Sequence, residues 1–143
     1  MRSLALREGP MKRVDLYFLL LATILLICGA VLGITMGMRE DFQLVPVHAH
    51  LNLAGWASLA LFGLTYRAYP ELAATALARY HFLVSATASV LLPIGIGLAV
   101  LRSSPGLAIL ASMLWLLGVL IFLVQLLRLL RVRSDAAGLS PAE

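Results

Sequence analysis

The sequence predicts an all-α integral membrane protein, folded as an antiparallel bundle of four transmembrane helices. Three observations carry that expectation. Of the 143 residues, 62% are hydrophobic and the mean hydropathy is +0.98, well above the apolar share of a soluble domain. The apolar residues fall in four runs, each close to the ~20 residues that cross a bilayer core. The breaks between them, "REDFQLV", "YPELAATALAR" and "RSSPG", are short enough to set consecutive helices side by side and antiparallel.

The chain divides into a basic N-terminal segment over 1–15, a membrane domain over 16–131 and a polar tail over 132–143. The first span is expected over 16–38. Within it "GAVLGITMG" sets Gly29, Gly33 and Gly37 on one face, where small residues let helix backbones approach closely. Cys28 is the sole cysteine, so no disulfide forms within one chain, and it reads as a small packing residue. The apolar run is too long for a cleaved secretory leader, and no A-x-A site follows it.

The second span is expected over 46–68, with Pro46 suited to its first turn, where a missing N–H costs nothing. Gly55 and Gly63 share one of its faces. The third span, over 80–101, contains Pro93, a predicted kink. The fourth runs over 107–127, and the tail "SDAAGLSPAE" is polar enough to fray.

A net charge of +4 does not here imply nucleic acid. The basic residues sit at span ends, with no basic face interleaved with aromatics. Of the 11 Lys and Arg residues, only Arg39 and Arg102 fall on one side of the predicted bundle. Arg2, Arg7, Lys12, Arg13, Arg67, Arg79, Arg128, Arg131 and Arg133 fall on the other. The positive-inside rule then makes both termini cytoplasmic and turns the loop with Glu40 and Asp41 outward.

The chemistry-bearing residues are the histidines. Ionisable side chains inside a span are costly and mark functional candidates. Neutral imidazole is a common metal and haem ligand. At 3.6 residues per turn, His50, Leu53, Ala54, Ala57, Leu61 and Leu64 share a face. Behind a haem-ligating His50, small Ala54 and Ala57 leave room for a flat macrocycle. The nearly opposite face carries His48, Asn52, Gly55, Leu59 and Tyr66, with Asn52 one turn from the His48 ring. His48 and His50 therefore do not chelate one metal, and either also suits the membrane interface. His81 opens the third span on the cytoplasmic side, and by position it reads as an interfacial residue or a lower-ranked metal ligand. It is roughly 27 Å from the His50 level at 1.5 Å per residue, too far to share one iron within a subunit. Trp56 and Trp115 read as packing or pocket-wall residues.

The stretch "HLNLAGWASLALFGLTYRAYP" resembles the second transmembrane helix of subunit I of the haem-copper oxidases, closest to the branch of the nitric oxide reductases and their related cytochrome oxidases. In that helix a histidine near the outer end, followed two later by Asn or a small polar residue, ligates the low-spin haem b. His50-Leu51-Asn52-Leu53 matches that start, and Tyr66 and Pro70 match the inner end. Compact four-helix bacterial membrane proteins with a "HAHLNLxGW" pattern are similar over nearly the whole chain. The resemblance implies non-covalent haem b on His50, with Ala54, Ala57, Trp56, Asn52 and His48 around it, in a bacterial cytoplasmic (inner) membrane.

The chain also departs from that family. Its 3 histidines are too few for the oxygen-reducing centre, so no copper is expected in a single subunit and no catalytic residue is assigned. Ser85 stands where the small relatives often carry a second histidine. A two-fold homodimer would supply the missing axial ligand as a second His50. Three function classes follow. The first is haem-based electron transfer, or handling of haem or a diatomic gas. The second is a cofactor-free helper or assembly subunit, since fold does not fix function. The third is a metal or proton path through His48, His50 and Asn52.

Overall fold

The structure is a computed structural model that describes residues 13–138, with side chains described through Arg131. All regular structure among the described residues is helical: α1 (Val14–Arg39), α2 (Val45–His50), a π-helical segment (Leu51–Ala57), α3 (Ser58–Ala68), α4 (Pro70–Ala73), α5 (Ala76–Arg102) and α6 (Gly106–Gly138). Among the described residues, three helices are long and apolar enough to cross a membrane: α1, α5 and the Gly106–Arg131 part of α6. The predicted second span is instead composite. α2, the π segment and α3 follow one another without a break, so its longest purely α-helical piece is the 11-residue α3.

Other boundaries move for local reasons. The third helix starts at Ala76, ahead of the expected residue 80, because Thr75 caps it by accepting from the Ala78 N–H at 3.2 Å. The expected loop before it contains α4, started by Pro70 at its first position. Pro93 is carried inside a continuous α5. α6 runs past the expected end at 127 as far as Gly138, so the start of the tail is helical. At the other end of the bundle α1 and α5 stop on Glu40 and Ser103, both left-handed, with φ of 53° and 52°.

The helices pack as two hairpins. α1 lies along the π segment and α3; α6 lies along α5; and α5 joins the hairpins through contacts with α1, α2 and the π segment. The buried positions of α1 are Val14, Asp15, Phe18, Ala22, Leu25, Gly29 and Met36, a stripe at helical spacing. The opposite faces carry large apolar residues in the open, such as Ile34 at 63% and Met113 at 66% exposure. So much apolar surface without a protein partner is what lipid covers.

Small residues set the approach distances, as their spacing predicted. A Cβ on Gly29 would meet the Asn52 side chain at 2.7 Å, one on Gly33 the His48 ring at 2.8 Å, and one on Gly63 the Asp15 carbonyl at 2.9 Å. Gly37 meets nothing. The closest backbone approach was not read from sequence: a Cβ on Gly95 would lie 2.5 Å from the Ala108 nitrogen, which clamps α5 to α6. At one end of the bundle, buried Asp15 pairs with Arg67 at 3.3 Å and ties the start of α1 to the end of α3.

Candidate functional site

The π segment begins one residue after His50. A π turn bonds i to i+5 and sets one extra residue into the helix, a feature found often at functional sites. Here it re-aims the face that His50 starts. The Ser58 hydroxyl donates back to the Leu53 carbonyl, five residues earlier, at 2.8 Å. The Ala54 carbonyl accepts from Ser89 Oγ at 3.3 Å and from Trp115 Nε1 at 3.4 Å. Those side chains from α5 and α6 give the widened turn lateral partners.

A groove of about 320 Å³ opens beside this turn, lined by Ala49, His50, Leu53, Ala54, Ser58, Leu92, Ser112 and Trp115. That volume is at the lower end of small-molecule sites. Its walls are mostly apolar, and five helical pieces build it: α2, the π segment, the start of α3 at Ser58, α5 and α6. Within it the His50 ring is held. Nδ1 donates to the Pro46 carbonyl at 2.8 Å. A carbonyl only accepts, so Nδ1 carries the proton and Nε2 keeps its lone pair. Histidine ligands of metals are oriented by this kind of contact.

His48 points the other way. Its Nδ1 donates to the Gly29 carbonyl at 2.9 Å, and Asn52 Nδ2 faces its Nε2 at 3.4 Å while donating to the His48 carbonyl at 2.8 Å. Both ring nitrogens of His48 are thus engaged inside the protein, against the glycine face of α1. The split of His-Ala-His onto two faces is as the helical spacing implied. Asn52 meets the ring at Nε2, because the ring N–H goes to Gly29.

Of the other residues singled out from sequence, Ala54 and Trp115 line the groove. Ala57 and Trp56 do not, and Trp56 is 41% exposed on the outer surface. The π turn explains the change: in an unbroken α-helix Ala57 follows Ala54 on the His50 face, whereas here Ser58 takes that place. Leu92, Ser112 and Ser58 were missed as wall residues; their contribution depends on how α5 and α6 approach.

His81 is enclosed by protein rather than exposed at its span end. It is fully buried, in a cage of Phe18, Phe62 and Phe122 with ring centroids at 5.0, 4.7 and 5.4 Å. Its Nδ1 lies 2.9 Å from the Tyr66 hydroxyl. The sequence carried a signal for this site that went unused: His81, Ser85 and Ser89 repeat every four residues on one face of an apolar span, and Gln125 is polar within another. All of these are buried. Among the described residues no three His, Cys, Asp or Glu side chains converge as a metal cluster.

In comparisons with known proteins, the chain matches no family model, no curated protein and no solved structure.

Proposed function

We propose that this chain is a haem-b-binding integral membrane protein of the kind its second helix resembles, subunit I of the haem-copper oxidases. It would act in electron transfer or in handling haem or a diatomic gas. In this reading the continuous run 45–68 is the fourth membrane crossing. At 1.5 Å per residue it is roughly 36 Å long, enough for the ~30 Å hydrocarbon core. The charge bias then orients both termini to the cytoplasm of a bacterial inner membrane.

The observation that carries the proposal is the state of His50. It lines an apolar groove, its ring is fixed by the Pro46 carbonyl at 2.8 Å, and its Nε2 lone pair is uncommitted. The residues present fit the edge of a flat, largely apolar macrocycle. Ala54 adds only a methyl group to the wall, and Leu53, Leu92 and Trp115 make it apolar. Haem bound there would supply reversible one-electron exchange at iron. The chain's own part is to present Nε2, to raise its basicity through the Pro46 carbonyl, and to keep water from the wall. Trp115 Nε1 is tied to the Ala54 carbonyl, which holds that wall in place. The groove offers one histidine, so a further protein ligand would have to come from a two-fold partner, as its own copy of His50.

The test is a visible spectrum of protein purified from haem-sufficient cells. A Soret band is expected in the wild type and in His48→Ala, and none in His50→Ala. A folded wild type without the band, or a band that survives His50→Ala, overturns the proposal. The single histidine also favours a second reading, a cofactor-free helper or assembly subunit, and a flat spectrum selects it.

A further inference from the structure

The core between α5 and α6 holds polar atoms without protein partners. His81 Nε2, Ser85 Oγ and Gln125 Oε1 are all buried and unbonded within the protein. Such groups are rare, and each costs stability unless something meets it. His81 and Ser85 are one turn apart on the same face of α5, with Cβ atoms about 5–6 Å apart. Across from them α6 presents Gly118, and a Cβ there would lie 2.5 Å from Ser85 Oγ. Glycine at 118 thus preserves the space that the hydroxyl occupies.

The same polar row reaches an opening. A second groove, of about 400 Å³, is lined by Glu71, Leu72, Thr75, Gln125, Arg128, Leu129 and Arg131. Gln125 Nε2 donates to Thr75 Oγ1 at 2.9 Å in its wall. The Tyr66 hydroxyl bonds His81 Nδ1 at 2.9 Å.

We propose that His81 Nε2 and Ser85 Oγ share a bound water, held in the core between α5 and α6. Water suits the site because it donates and accepts. If Tyr66 donates to Nδ1, the His81 Nε2–H needs an acceptor. If Nδ1 donates to Tyr66, Nε2 needs a donor. One molecule serves both states, with the Ser85 hydroxyl as its other partner. The water site stands apart from the His50 groove and does not depend on haem.

Two measurements on the full chain in lipid bilayers test this. In water-edited solid-state NMR of protein labelled with ¹⁵N-histidine, the His81 ring is expected to receive magnetisation from water despite its burial. Ser85→Ala and Gly118→Ala are each expected to abolish that transfer. A dry His81 ring in the wild type overturns the proposal, as does transfer unchanged in both variants. Thermal unfolding gives an independent sign. Removing a hydroxyl that bridges to water leaves Nε2 unmet, so Ser85→Ala should lower Tm by about 3 °C. Removing a dry orphan hydroxyl would raise Tm instead, and a rise overturns the proposal. A missing Soret band bears only on His50 and leaves these outcomes untouched.

Discussion

His50 and His81 are the same residue in opposite settings. His50 lines a groove with mostly apolar walls, its Nδ1 committed to its own helix at Pro46. His81 is sealed among three phenylalanines, its Nδ1 committed to Tyr66 from another helix. The first arrangement presents a lone pair to something that arrives from outside. The second keeps an imidazole inside a hydrogen-bonded row. Burial alone therefore does not separate a ligand-presenting histidine from an internal one. What separates them is which nitrogen is free and what space that nitrogen meets.

Substitutions can break this contrast, and the largest effect belongs to His50. His50→Ala should remove the whole Soret absorbance while leaving thermal stability within about 0.5 kcal/mol, because the hydrogen bond of its ring lies within its own turn. Next is Tyr66→Phe, which keeps the ring packing on Phe18 but strips His81 Nδ1 of its partner inside the phenylalanine cage. A cost of about 1–3 kcal/mol in thermal unfolding is expected, with the Soret band unchanged. His48→Ala sharpens the comparison on the same helix. It loses the bond to the Gly29 carbonyl, for about 0.5–1.5 kcal/mol, and should again leave the spectrum intact. The smallest effect is Trp115→Phe. The Ala54 carbonyl keeps its bond from Ser89, so the loss should stay near 0.5 kcal/mol. The Soret maximum should nonetheless shift, because the variant alters the groove wall.

Much of the helical plan was legible in order along the chain. Long apolar runs, Pro46, and glycines at spacing four are local patterns, and helix formation and close packing respond to local patterns. The separation of His48 from His50 was equally legible, since residues two apart cannot share a face of a helix. The groove was half legible. Ala54 follows from His50 by helical spacing, but the π turn replaced Ala57 with Ser58 and left Trp56 outside. No rule of apolar periodicity announces a π turn. Here its Ala54 carbonyl is met by Ser89 and Trp115, residues 35 and 61 positions away in sequence.

His81 shows the same division more sharply. Its place at a span end, beside Arg79 and Tyr80, suggested the interface. The earlier start of α5 at Ala76 and the packing of Phe18, Phe62 and Phe122 instead enclosed it. By itself, then, the sequence determined the membrane class, the order of helices and the two directions in which His48 and His50 point, because each depends on composition or on spacing within one helix. Only the tertiary structure decided that His50 faces a groove and that His81 joins Tyr66 in the core. Those outcomes depend on contacts between helices far apart in the chain, which spacing within a single helix does not encode.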